Sequence, residues 1–273
     1  MGFARRFSEE QRKKMMGGAN APLFERLKED VLLGEVFPAV RVGALDFYYR
    51  GGRLFRFAGG AFRRDKNYEK YGDGLEPLSP YERAKKETER RFIRASGKEA
   101  ERLLLDGLNR HTYDFHYAGE VVVLDIEVDL HADGEHGKKC DMVLLNRQTG
   151  ELMFVEGKVF SDSRVLVKRG NVPEVIAQVQ SYSAAVGAQR QAILEGYAAY
   201  AQIMNALFSV TLPPPKRVVE RAKLLVYATP PAPSPNGEYS MQTICSALGK
   251  DSVLWIKEGE APSLDEIWKS LIG

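Results

Sequence analysis

The sequence predicts an α/β protein with a small antiparallel β extension at its front. Residues 96–229 read as helix, three strands, two helices and a further strand, an alternation that calls for a sheet covered by helices. Residues 36–64 show short β-rich runs cut by glycine pairs instead, and the stretch from Asp65 to Pro80 is polar and rich in Gly and Pro, as a linker is. Two regions are therefore expected: residues 1–80, an N-terminal helix plus the β extension, and residues 81–273, the main domain with its C-terminal strand and helices.

Composition narrows the class. The 273 residues are 44% hydrophobic and 28% charged, with 39 Lys+Arg against 37 Asp+Glu and a formal charge of +2. That excludes a disordered polyampholyte, a fibrous repeat and a small disulfide scaffold. Only Cys140 and Cys245 are present, which points to a reducing compartment. No run approaches about 18 consecutive apolar residues, so no membrane span is expected. The start, MGFARRFSEEQRKKMM, has no apolar stretch behind its basic residues, and Arg6 stands where a myristoylation signal wants Ser or Thr. A cytoplasmic protein with no membrane partner is the expectation. Near-neutral total charge does not by itself suggest nucleic acid, although residues 1–64 carry 13 Lys+Arg and 7 Asp+Glu.

The elements follow in order. Residues 1–33 read as helical, with Leu23, Phe24, Leu27 and Val31 apolar and charges between them. FPAVRVGALDFYYR, RLFRF and AFRR are strand-like, and Gly51-Gly52 and Gly59-Gly60 suit the tight turns of a meander. Helical signals run from Tyr81 to Arg94 and restart at Ser96, which with Glu99 makes a capping box ahead of Leu103, Leu104, Leu105 and Leu108. Strands are predicted at 121–130, 139–146 and 151–160. A long helix is predicted to begin near Asn171, with Pro173 in its first turn, and to break at Gly187; another follows from Ala192 to Phe208. Beyond Pro213-Pro214-Pro215 come strands at 223–229 and 252–258 and helices at 239–248 and 264–272.

The chemistry concentrates on two neighbouring strands. If Thr149 and Gly150 form a two-residue hairpin turn, Gln148 faces Glu151, Val143 faces Glu156 and Asp141 faces Lys158. Side chains alternate with period two, so Asp141, Glu156 and Lys158 project from one face, opposed Cβ atoms about 5 Å apart and diagonal ones about 7–8 Å. An odd-length turn would send Asp141 to the other face. Hard oxygen donors at that separation suit Mg²⁺, which takes one or two carboxylates together with substrate phosphate. Lys158 would orient or help deprotonate a nucleophile. Three charged groups among Val143, Leu145, Phe154 and Val155 also carry a desolvation cost, which a fold bears more readily for function.

Asp141, the Glu156-Gly157-Lys158 run and the helix behind them resemble the PD-(D/E)xK nuclease superfamily over roughly residues 96–229. The resemblance implies a restriction-endonuclease-like core of helix, three-strand antiparallel meander, helices and a further strand. It implies a nuclease dependent on Mg²⁺ (or Mn²⁺) that hydrolyses phosphodiester bonds, with DNA as the expected nucleic-acid partner. Asp141, Glu156 and Lys158 would be catalytic, and Asp141, Glu156 and the Gly157 carbonyl would hold the metal. Glu101, along the apolar face of the helix that carries Leu104 and Leu108, takes the place where many relatives put a further glutamate. Gln178 and Tyr182, spaced i, i+4, match the Q-x-x-x-Y helix of the exonuclease-type branch and would bond to phosphate or a base edge. Cys140 stands where the motif has proline.

Plainer readings stand beside these. An Asp, Glu and Lys at this spacing also describe a surface hairpin with a salt bridge, and Gln178 and Tyr182 also describe a solvated amide and a packing tyrosine. Asp125, Glu127 and Asp129 alternate with Ile126, Val128 and Leu130, the pattern of a solvated strand face, with one of the three in reach of the site as the alternative. His131 and His136 in HADGEHG make a weak case for zinc without a Cys-x-x-Cys, and no phosphate-binding loop motif occurs. Phe47, Tyr48, Tyr49, Arg50, Arg53, Phe55, Arg56, Phe57, Phe62, Arg63 and Arg64 suit either base stacking with phosphate neutralisation or a small core with cationic edges. Arg164, Lys168 and Arg169 are better placed to touch a backbone entering the site. The functional alternative is a non-catalytic nucleic-acid- or partner-binding module on the same fold; a third reading is an α/β protein in which Asp141 and Lys158 form a structural pair.

Overall fold

The structure is a computed structural model, and it describes residues 3–64, 79–92, 104–107, 119–130 and 139–273. The chain is mixed α/β, with one antiparallel four-stranded sheet and one mixed sheet. Its contacts divide it into two compact units, one of residues 4–118 and 195–214, the other of residues 1–3, 119–194 and 215–273. The division expected at 80/81 falls inside the first of these, because Tyr81 stacks on Phe55 of the meander at 6.0 Å and donates a hydrogen bond to Asp30.

In the first unit, α1 (Glu9–Met16) and α2 (Ala21–Leu32) replace the single helix expected over 1–33. Ser8 and Gln11 form a capping box at the start of α1, and the Asn20 side chain donates to the Lys14 carbonyl at 2.9 Å, closing the end of α1 before α2 begins. The meander is β1 (Phe37–Arg41), β2 (Ala44–Tyr49), β3 (Gly52–Ala58) and β4 (Ala61–Arg64), in that spatial order. Gly59 and Gly60 form the β3–β4 turn with φ of 62° and 86°, values that cost glycine little. The β2–β3 turn sits one residue earlier than expected, at Arg50 and Gly51. Phe47, Phe55 and Phe57 are buried, so the aromatic residues of this sheet build a core rather than an open stacking platform. Its cations are paired in part: Arg56 and Arg41 with the buried Asp46 at 3.2 and 3.6 Å, and Arg64 with Glu87 of α3 (Pro80–Phe92) at 3.0 Å.

The second unit is built on the sheet β10-β9-β7-β6-β5. Strands β5 (Val121–Asp129), β6 (Lys139–Asn146) and β7 (Glu151–Val159) form an antiparallel meander of almost wholly buried residues. Helix α4 (Glu174–Ala188) and then α5 (Arg190–Phe208), most of which belongs to the first unit, precede β8 (Arg217–Val218) and β9 (Lys223–Thr229), both parallel to β7. The chain closes with α6 (Pro235–Leu248), β10 (Val253–Lys257) and α7 (Leu264–Ile272). Helix α4 starts at Glu174 rather than Asn171, since a residue before proline is pushed out of the helical region and Val172 precedes Pro173. It runs through Gly187 and breaks at Gln189, whose side chain donates to the Leu130 carbonyl at 2.6 Å.

The β6–β7 turn differs from the expected one. Asn146 pairs with Glu151, leaving Arg147–Gly150 as a four-residue loop. The Asn146 side-chain oxygen accepts from the backbone N–H groups of Gln148 and Thr149 at 2.9 and 3.0 Å, and Gly150 closes the loop at φ 72°. The pairing therefore slides by two residues: Val143 faces Phe154 instead of Glu156. An even slide keeps every side chain on its expected face.

Candidate functional site

The site is assembled on β6 and β7, in the middle of the sheet. The regular pairing ends at Met142 and Val155; carried one residue outward, that register sets Asp141 against Glu156 rather than against Lys158. Lys158 stands two residues along β7 on the same face. The Asp141 carboxylate accepts the Gly157 backbone N–H at 2.8 Å, tying β6 to β7 beyond the last regular pair.

The three charged groups do converge. The Lys158 ammonium donates to Glu156 Oε1 and to the Gly157 carbonyl at 2.7 Å, and lies 3.5 Å from Asp141 Oδ2. Glu156 and Lys158 are each 1% exposed, whereas 15% of the Asp141 side chain remains exposed. Burial raises the Asp141 carboxyl above its ordinary value, opposed by the Lys158 charge and the Gly157 N–H and reinforced by the nearby Glu127. Burial first, then the charges of Glu156 and Asp141, push up the neighbouring Cys140 thiol; it is enclosed and donates to the Val155 carbonyl at 3.3 Å, which makes it packing rather than a nucleophile.

Helix α4 braces Glu156 from above the sheet. Gln178 Nε2 donates to Glu156 Oε1 at 2.6 Å and to the Tyr182 hydroxyl at 2.9 Å, and that hydroxyl donates to the Lys139 carbonyl at 2.9 Å. One helix face thus connects the Glu156 carboxylate to the first residue of β6. Tyr182 is fully buried, and burial, with Glu156 second, raises its phenol. Both motif residues are engaged with the site itself instead of facing solvent.

Asp125 is the residue that the alternating pattern concealed. It is fully buried and pairs across β6 with Val143, on the face that carries Asp141 and Glu156. A bulge between Val123 and Asp125 and a φ of 52° at Glu127 break the simple alternation. Asp129 is exposed, as a solvated face requires. No composition signal distinguishes Asp125 from Asp129: both follow the bulge in one register, and they differ only in that Asp125 lies inside the strand and Asp129 at its exposed end.

The cations nearest along the chain behave differently from one another. Arg164 is held by Asp162, with its Nε 2.9 Å from Oδ1 and a second contact to Oδ2. Lys168 and Arg169 are exposed. Glu101 lies outside the described residues, as do Ser96 and Glu99 of the expected capping box and His131 and His136.

The donor set fits a hard divalent cation: two carboxylates and a carbonyl oxygen, with a lysine ammonium already lodged against all three. Among the described residues no group of three or more His, Cys, Asp or Glu side chains is assembled for a metal. Comparison of the chain with protein-family models, with curated proteins and with solved structures gives no match.

Proposed function

We propose that the chain is a Mg²⁺-dependent nuclease that hydrolyses phosphodiester bonds in DNA, on a restriction-endonuclease-like core. The observation that carries this reading is the convergence of Asp141, Glu156, the Gly157 carbonyl and Lys158 on one sheet face, with Gln178 fixing Glu156 in place. An antiparallel meander followed by helices and a strand parallel to its last member supports the core assignment. So does the cost of the arrangement, since buried charges with so little solvent are kept more readily where chemistry needs them.

In this reading Asp141, Glu156 and Gly157 would hold the metal, which when bound supplies Lewis-acid stabilisation of the scissile phosphate and acidifies a water. Gln178 and Tyr182 are positioning residues: they fix the Glu156 carboxylate, and their hydroxyl and amide are already committed. Lys158, with its ammonium 3.5 Å from Asp141 Oδ2, would supply a charged donor to orient the attacking water. Lys168 and Arg169 neutralise the entering backbone.

The test is cleavage of linear and circular DNA by the purified protein with Mg²⁺ or Mn²⁺. Asp141→Asn and Glu156→Gln, which keep shape while removing charge, should each lower cleavage by at least about 10²-fold with circular dichroism unchanged. DNA binding that ignores divalent ions, with no cleavage by the parent protein, would favour the non-catalytic binding module instead.

A further inference from the structure

We propose that Lys158 is the site's resident counter-ion: its ammonium occupies the position a divalent cation needs, so metal enters only as the ammonium withdraws. Lys158 acts this way only if the site takes a metal, as proposed above.

The Lys158 Nζ contacts one oxygen from each of Glu156, Gly157 and Asp141, at 2.7 Å for the carbonyl and 3.5 Å for Asp141. These oxygens belong to the same three groups that would hold a metal. The buried Glu156 carboxylate, with Asp141 beside it, cannot be left without a cation, because an uncompensated buried charge is costly. The ammonium meets that need in the metal-free protein. A divalent ion on those oxygens would face a like charge within a few ångströms at low effective dielectric, so both cations cannot hold the same place. Lysine can yield, because its charge sits on a flexible four-carbon stem. Asp141 alone of the three charged side chains keeps appreciable exposure, which marks the side on which the cluster meets solvent.

A simple catalytic lysine and a counter-ion lysine predict opposite signs. If Lys158 competes with metal, its removal tightens metal binding while weakening the metal-free fold. Mn²⁺ affinity, read by calorimetry, should rise at least about tenfold in Lys158→Met and should not rise in Lys158→Arg, which keeps the charge. The unfolding temperature of metal-free Lys158→Met should fall below that of the parent, and saturating Mn²⁺ should recover more of it than Mn²⁺ adds to the parent.

Should Lys158→Met fail to fold, the parent protein gives the same answer. Acylation of lysines by an N-hydroxysuccinimide ester, mapped by mass spectrometry, should spare Lys158 in the metal-free protein and label it several-fold more in saturating Mn²⁺. Equal or weaker Mn²⁺ binding by Lys158→Met, or labelling that Mn²⁺ leaves unchanged while Mn²⁺ binds, overturns the counter-ion role and leaves the metal site standing. Absence of Mn²⁺ binding by both the parent and Lys158→Met overturns the metal-dependent reading as well.

Discussion

At the scale of single residues, the site depends on groups whose hydrogen-bonding capacity is already spent. Gln178 donates one amide proton to Glu156 and the other to Tyr182, so Gln178→Leu removes a neutral donor from that carboxylate while leaving the helix intact. Partners of this kind are worth about 10–100-fold in metal affinity or activity. Gln178→Leu should therefore reduce cleavage about tenfold or more, with a urea midpoint close to the parent's. Tyr182→Phe reads differently: it strips a donor from the Lys139 carbonyl, and equilibrium unfolding should show a loss of about 1 kcal/mol. Arg164 offers a pH-dependent case. Burial alone would raise the Asp162 carboxyl, but hydrogen bonds from the Arg164 side chain and backbone, together with its charge, hold it below the ordinary value. A depressed carboxylate adds stability that is present above its unfolded value and is lost as pH falls through the folded one. Arg164→Ala should accordingly be less stable than the parent at neutral pH, and the gap should close as unfolding is measured at pH values below the ordinary Asp range. A gap that persists in acid would show that Arg164 stabilises by packing.

At the scale of elements, register decides whether the charged residues share a face. Two features hold it: the Asn146 side chain, which takes two turn N–H groups, and Gly150, whose φ of 72° is costly for any L side chain. A Cβ at Gly150 would also lie 3.0 Å from Lys216 Cγ, a contact that a flexible side chain can relieve. Gly150→Ala should thus cost about 1–2 kcal/mol, nearly all of it backbone strain, and Asn146→Ala about 1 kcal/mol, both read from urea unfolding. This hairpin also shows what was legible in the amino-acid pattern. The two strands, their pairing and the shared face of Asp141, Glu156 and Lys158 follow from alternation, and a turn longer by two residues cannot disturb parity. The opposed partners could not be read, because Asn146 serves as both last strand residue and turn acceptor. The buried Asp125 could not be read either, since a bulge leaves no mark in an alternating run. Pro173 is the N-cap of α4 and keeps Val172 out of the helix, so it stands before the first helical turn rather than inside it. Gln178 and Tyr182 were legible as sharing a helix face, while their partners, Glu156 and Lys139, come from strands that only the folded sheet brings beneath that helix.

At the scale of the whole molecule, a formal charge of +2 gives little long-range attraction for a polyanion, so the proposed DNA binding would have to come from local cations. Many are already matched: Arg41 and Arg56 by Asp46, Arg64 and Arg83 by Glu87, Lys85 by Asp30 and Glu35, Arg164 by Asp162. Lys168 and Arg169 are exposed on the segment that joins the Lys158 strand to the helix of Gln178, which ties any phosphate they touch to the site. No helix among the described residues is long and apolar enough to cross a membrane. Each phosphate neutralised on duplex DNA contributes about 0.9 to the slope of log affinity against log salt. Lys168→Ala and Arg169→Ala should each flatten that slope by about one unit, weaken binding alike on unrelated sequences, and leave cleavage at saturating DNA close to the parent's. Fluorescence anisotropy between 50 and 200 mM salt, roughly the range over which such contacts are lost, measures the slope directly. An unchanged slope in the double variant would mean that DNA reaches Asp141 and Glu156 by a path that does not cross this segment.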